Sequence, residues 1–412
     1  MMILKIWDRD NGMVKKPFYF DDNNEHSFTA NEAAVADFAK MGMAVGTAFD
    51  ITGSIVVGHD SGNCAKALAE SFISGLLSTG VKVFNLGECT PQQIMYATSK
   101  LNSSAGCYVS STYKAKIQIK GKGGLPLKRA IECRIENAYT SNYFRTLDSN
   151  DYAKAYDFSD TKALYGIHLE KMLPDELHGI LVNIRCTSRQ TAKIADRLFH
   201  ERNDIDGERI VFSISSDGTT CSAYSEKTGY VFHERLIMLA MKALYESGHE
   251  VSLPYTVPSC AEDLAKNYGS QVFRYYSSSD DSGDEMARLV AQRADNLFVR
   301  DALGLICVIL GYLSSSNQTF PQAVDNIPKV STVQRFVSSK VSLHELKQKF
   351  ADENNVSPDG LLYTKDDTRA IIRPQKNGQG LMIFAESFKS ESASAICDEI
   401  QDALKRYEDI GK

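Results

Sequence analysis

The chain has 412 residues, 43% hydrophobic and 24% charged, with a net charge of -6. That length supplies sizeable cores for roughly two to four domains, and the acidic balance argues against a nucleic-acid partner, which needs a concentrated basic surface. No apolar run approaches about 18 residues, so no membrane span is expected, and the nine cysteines include no C-x-x-C pair, which favours reduced thiols in a cytoplasmic protein over disulfides or a zinc site.

The start, Met1 to Asp10, carries a charge at Lys5 and no cleavage-like site, so it does not read as a signal peptide. Residues 30–50 give a helical pattern, with Thr29 or Asn31 as cap and apolar positions at Ala34, Phe38, Met41 and Val45. A short apolar strand follows at Ser54 to Val57, then a helix over 63–79 and a strand from Val81 to Leu86. Pro91 to Leu101 reads as a helix with proline in its first turn, where the missing N–H costs nothing. Gly106 to Ser111 is a further strand, and the alternation Lys116-Ile-Gln-Ile-Lys120 is another.

The pattern repeats downstream. Strands are expected at Gly179 to Ile184 and Glu208 to Ile214, with a helix between them at Thr187 to Glu201 and a strand starting at Ala223 after a turn over 215–220. A helix at Glu234 to Ser247 precedes a strand at Glu250 to Pro254, a helix at Ser259 to Tyr268, a strand at Gln271 to Tyr275 and a helix over 284–293. Leu297 to Leu313 reads as one long buried helix. Near the end, Thr368 to Arg373 and Gly380 to Ala385 are strands, and Ser390 to Tyr407 is an amphipathic helix. Residues 136–178 and 314–358 carry little signal. Strands alternating with helices at short spacing predict mostly parallel sheets covered on both faces. The breaks fall near 136, 238 and 335: an α/β unit over 1–136, a shortened one over 137–238, a third over 239–335 and a smaller α+β unit over 336–412.

The run Ile55-Val-Val-Gly-His-Asp60, with the helix after it and Val81-Lys-Val-Phe-Asn-Leu-Gly-Glu-Cys-Thr-Pro91, resembles the opening domain of the phosphohexomutases, the phosphoglucomutase and phosphomannomutase family. The resemblance extends over 29–127, 205–246, 297–313 and 359–404, and it implies three similar α/β domains with mixed, mostly parallel sheets, followed by a C-terminal α+β domain. It also implies four polar loops, and in this chain each departs from the family's pattern.

Where the family has Thr-Ala-Ser-His-Asn-Pro, with the serine carried as a phosphoserine, this chain has Ser110-Ser-Thr-Tyr-Lys-Ala115. Thr112 falls on the nucleophile position, while Tyr113 and Lys114 replace the histidine and asparagine. Tyrosine is a poor base at neutral pH, and a hydroxyl needs a base to become a nucleophile. The magnesium loop Asp-x-Asp-x-Asp-Arg becomes Ser215-Ser-Asp-Gly-Thr-Thr220, which keeps Asp217 alone as a metal-ligand position. One carboxylate is a weak grip on a hard cation, and Asp217-Gly218 also suits an ordinary tight turn. The sugar loop Gly-Glu-x-Ser-Gly-His leaves at most Ser282-Gly283, and the phosphate loop Arg-Pro-Ser-Gly-Thr-Glu-Pro becomes Arg373-Pro-Gln-Lys-Asn-Gly-Gln379. His59 stands where the family has arginine and reads as a surface or supporting residue.

Together these departures predict a catalytically silent family member with no cofactor. The alternative is an active mutase that exchanges hexose 1-phosphate and 6-phosphate and uses magnesium. For a silent member the expected partners are a phosphorylated sugar or another small anion, held by Lys114, Arg373 and Lys376 beside Lys116, Lys120 and Lys122, or else a protein partner or a second copy of the chain. In the absence of a ligand these cations are expected to be solvated surface. The shortened stretch between Glu201 and Glu208 would open a surface for a protein partner.

Overall fold

The computed structural model describes residues 20–21, 25–28, 35–112, 114–277, 283–339, 345, 356–357, 359–376 and 380–410. The first unit contains strands β1 (Glu25–Ser27), β2 (Ser54–His59), β3 (Lys82–Glu88), β4 (Ala105–Ser110), β5 (Lys116–Gly121) and β6 (Ala155–Asp157). They form one sheet in the order β1-β5-β4-β2-β3-β6. Strands β4, β2, β3 and β6 run parallel, while β5 and β1 add antiparallel at the edge. Ile55, Val56 and Val57 are fully buried, as a central strand covered on both faces requires. One face carries α1 (Val35–Ala48), α2 (Asn63–Ser78) and α4 (Arg129–Ser141); the other carries α3 (Pro91–Lys100). The start of α3 is fixed by Thr90 and Gln93, which form a reciprocal capping box ahead of Pro91. The Thr29 and Asn31 caps expected for α1 lie outside the described residues.

Helices α1 and α2 meet through two glycines. A Cβ on Gly42 would lie 2.1 Å from the Phe72 carbonyl oxygen, and one on Gly75 would lie 2.1 Å from that of Ala39. Both obstacles are backbone, so the helices would have to part. Gly42→Ala is therefore expected to lower stability by about 2 kcal/mol, even though alanine favours helix. Denaturant unfolding reads this directly, and an unchanged midpoint would show that the helices separate freely.

The second unit has β7 (Ile180–Arg185) and β8 (Glu208–Ile214) in parallel, extended antiparallel by β9 (Cys221–Ser225) and β10 (Gly229–Val231). Helices α5 (Thr161–Glu170), α6 (Arg189–Phe199) and α7 (His233–Glu246) accompany it. The third unit has two parallel strands, β11 (Val251–Pro254) and β12 (Val272–Tyr275), with α8 (Cys260–Lys266), α9 (Glu285–Ala291), α10 (Ala302–Ser316) and α11 (Phe320–Asp325). One hydrophobic core runs through both units and takes in Met95 and Tyr96 of α3 from the first. The fourth unit is an antiparallel sheet of β13 (Ser331–Ser338), β14 (Val356–Ser357), β15 (Gly360–Lys365), β16 (Thr368–Pro374) and β17 (Gly380–Ser387), in the order β13-β17-β16-β15-β14. Helix α12 (Ser390–Ile410) packs on it through Ala393, Ile396, Cys397, Ile400 and Leu404, one stripe at helical spacing.

Two expectations change. Positions 136, 238 and 335 fall inside α4, α7 and β13, and the first sheet takes in β6, so the first unit extends beyond 136. The single helix expected over 297–313 is instead a 3-10 segment, Ala294–Arg300, followed by α10. The break is at Asp301, whose extended backbone and carboxylate cap α10 by accepting from the Leu303 N–H at 3.1 Å. No single helix among the described residues is long and apolar enough to cross a membrane. The nine cysteines are all free.

Candidate functional site

Parallel pairing of β2 with β4 brings their C-terminal ends to one edge of the first sheet. There the Asp60 carboxylate accepts from the Gly62 N–H at 2.8 Å, the Ser111 N–H at 2.7 Å and the Thr112 hydroxyl at 3.2 Å. Thr112, at the nucleophile position, is exposed and its hydroxyl is held by a carboxylate. His59 is buried rather than on the surface, with its Nδ1 2.7 Å from the Asp60 carbonyl oxygen.

The 215–220 loop is a turn satisfied by its own side chains. The Ser215 hydroxyl donates to Asp217 Oδ1 at 2.6 Å, and the Thr219 hydroxyl donates to Oδ2 at 2.8 Å. The Thr219 N–H also donates to Oδ1, at 3.1 Å. Gly218 sits at φ 73°, a left-handed conformation that suits glycine. The loop is pinned from outside by Gln92, whose amide donates to the Asp217 carbonyl at 2.7 Å, and by α10, whose Ala302 N–H donates to the Gly218 carbonyl at 3.0 Å. Both oxygens of Asp217 are thus engaged by the hydroxyls that occupy the flanking ligand positions. Magnesium needs several hard, negatively charged oxygens to offset its dehydration, and this donor set does not fit it. Among the described residues, no three His, Cys, Asp or Glu side chains cluster as a metal site would require.

Arg373 and Lys376, two of the three cations expected to attract an anion, are not solvated surface. Arg373 on β16 is paired with the buried Asp359 at 3.2 Å and lies over the Phe384 ring, 5.1 Å from its centroid. Lys376 reaches across to α4 and pairs with the fully buried Glu132 at 2.6 Å. A lysine aimed into the interior is tolerated here because carboxylates wait for it. Lys116 pairs with Glu25 at 2.7 Å, and Lys122 donates to the Asn102 side chain. Lys114 is exposed. Alternation on β5 buries Ile117 and Ile119 and turns Lys116, Gln118 and Lys120 to the other face.

Lys120 is the most perturbed of these cations. Burial first, and then the neighbouring Lys376, push its ammonium down to about 8, against the pull of Asp21, Asp217 and Glu132. Direct contacts between units at this edge join Lys376 to Glu132 and Gln92 to the Asp217 carbonyl. Thr112 is tied to Asp60 instead, and Arg373 to Asp359. Of the residues expected at the site, Asp217 is thus tied to the first unit through Gln92 and Lys376 through Glu132. Sequence reasoning missed His233, at the start of α7. Its Nδ1 accepts from the Cys221 N–H at 3.4 Å, and burial lowers its pKa against the pull of Glu234 and Asp217. Glu132 and Asp359, the counter-ions of the two phosphate-loop cations, were missed as well.

In the third unit, Ser282 lies outside the described residues. The adjoining Asp284 is buried, accepts from the Tyr276 N–H at 2.9 Å and pairs with Arg288 at 2.7 Å. It anchors α9 to the sheet.

Residues 24–146 match the family model for phosphoglucomutase/phosphomannomutase, alpha/beta/alpha domain I. A phosphoglucomutase/phosphomannomutase from Thermococcus kodakarensis is 22% identical over 431 aligned positions, covering 88% of this chain and 93% of that protein. The first unit thus carries the phosphohexomutase family's opening domain, and the chain is similar to a family member over most of its length. A phosphoglucosamine mutase from Buchnera aphidicola is 26% identical over a shorter stretch, 48% of this chain and 46% of the relative, so that match spans about half of the curated protein's length. The fold is similar to that of a phosphoglucomutase/phosphomannomutase family protein from Burkholderia thailandensis, with a TM-score of 0.70 at 14% identity over 95% of this chain and 97% of that one. Against the family's loops, this chain carries hydroxyls where two metal-ligating carboxylates are expected and places its own carboxylates against the phosphate-loop cations.

Proposed function

We propose that this chain is a catalytically silent phosphohexomutase-fold protein, located in the cytoplasm, whose cleft recognises a phosphorylated sugar or another small anion without turning it over. The observation that carries this reading is the Ser215–Asp217–Thr219 turn, in which hydroxyls rather than carboxylates surround the single acid. Phosphoryl transfer depends on positioning and charge stabilisation. The Asp60 carboxylate that accepts from the Thr112 hydroxyl could serve it as a base, so the silent reading rests on the turn and not on Thr112. Lys120, half-buried and with no ion-pair partner within 4 Å among the described residues, is the cation best prepared to meet an anion.

The test is a mutase assay with magnesium and a catalytic trace of hexose bisphosphate, since an enzyme lacking its phosphoryl group would look falsely dead. Glucose, mannose and glucosamine phosphates belong in the panel, the last because of the relatives' names. No interconversion above a blank is expected. Activity that disappears in Thr112→Ala would establish the alternative, an active hexose-phosphate mutase.

A further inference from the structure

We propose that Lys376, just after β16, is a latch that holds the fourth unit shut against the first through Glu132 without any ligand. Lys376 Nζ lies 2.6 Å from Glu132 Oε1, and the two side chains are only 7% and 0% exposed. Glu132 is not a passing surface contact. Its other oxygen accepts from Arg129 at 3.0 Å, and Arg129 grips Glu136 with two bonds of 2.8 Å. Glu136 in turn accepts from the Phe20 N–H at 3.1 Å. The receiving carboxylate is thus fixed within the first unit before the fourth unit arrives.

Two other contacts of the fourth unit, among the described residues, lead elsewhere. Asp359 accepts from the Ser277 N–H at 2.8 Å, and Glu386 accepts from the Ser259 N–H at 3.0 Å, both in the third unit. These contacts hinge the fourth unit on the third, while Lys376 ties its free end across the cleft. A buried ion pair adds little over an apolar pair but is costly to break from one side. That asymmetry suits a latch: small net stabilisation when shut, and a stranded charge when one partner is removed. Lys120 beside Lys376 sharpens it, since two neighbouring ammonium groups need the Glu132 charge close by.

Hydrogen–deuterium exchange without ligand tests the latch. In Lys376→Met, exchange is expected to rise about threefold or more at the ends of β16 and β17 and at the start of α4, with the cores of the other units unchanged. Lys376→Arg, which keeps the charge and the reach, is expected to retain the protection. Unchanged exchange in Lys376→Met would overturn the proposal, and so would a rise spread evenly over the chain. A second measurement rests on the anion reading above: if a phosphate must take Lys376 from Glu132, then Glu132→Gln should bind inorganic phosphate about tenfold more tightly than the parent. Equal binding together with local loosening in the exchange experiment would remove the anion reading and leave the latch standing.

Discussion

Asp301→Asn is expected to stabilise the folded chain by up to about 3 kcal/mol above pH 6, with the gain shrinking as the pH falls toward 4. Asp301 is 2% exposed. Its carboxylate caps α10 and accepts from the Tyr165 hydroxyl at 2.8 Å. Burial outweighs these hydrogen bonds and raises its pKa from 3.8 to about 6. Because the folded-state value lies above the unfolded one, the contribution to stability is fully present below about pH 4 and is lost as the pH rises through 6. Asparagine keeps an oxygen for the Leu303 N–H and offers an amide to the Tyr165 oxygen, so the cap survives while the ionisation penalty disappears. Denaturant unfolding of both proteins between pH 4 and 7 should give curves that diverge as the pH rises to about 6 and then run parallel. Curves parallel throughout would show that Asp301 ionises in the folded chain as easily as in the unfolded one.

Asp301 also shows why some elements were legible in the sequence and others were not. The apolar run 297–313 was read as one helix through its single acid, yet that acid ends one segment and caps the next. Strand β8 was legible at both ends because Ile210, Phe212 and Ile214 alternate inward. Helix α5 was missed because it buries Thr161, Tyr165 and Leu169, one residue per turn, which is too thin a stripe to register. Helix α4 was missed for a different reason: two of its four buried residues are Glu132 and Glu136, so its inner face looks polar. Strand β6 is exposed throughout and carries no alternation. Arg145 looks like a surface charge in the sequence, but it donates to the carbonyls of Phe49 at 3.1 Å and Thr79 at 2.8 Å, joining the ends of α1 and α2.

The site divides along the same line. The loops at 110–112 and 215–220 lie at strand ends, and the resemblance to the family's motifs located them. Their occupants and counter-ions depend on distant partners: Glu132 lies 244 positions from Lys376, and Gln92 lies 125 from Asp217. No local pattern connects such pairs. The cations were therefore read as solvated, although the fold had buried their partners to receive them.

The side chains of the 215–220 turn, rather than its backbone, decide its chemistry, and this leads to a gain-of-binding experiment. Combining Ser215→Asp with Thr219→Asp is expected to raise magnesium affinity by about a hundredfold or more over the parent chain. The Ser215 and Thr219 hydroxyls already converge on Asp217 at 2.6 and 2.8 Å, around a glycine that permits the tight turn. Carboxylates at both positions would crowd three negative charges into that space, so the metal-free double variant should be less stable than the parent. A divalent cation would relieve the repulsion, and the carboxylates would supply the negative oxygen ligands that the hydroxyls lack. Calorimetry should then detect magnesium binding, and thermal unfolding should show magnesium restoring the lost stability. Lys376→Met added to this background should tighten binding further, because Lys376 and Asp217 both act on Lys120 and so lie in the same field. A folded double variant that takes up no magnesium would show that the three positions do not converge as the turn geometry requires.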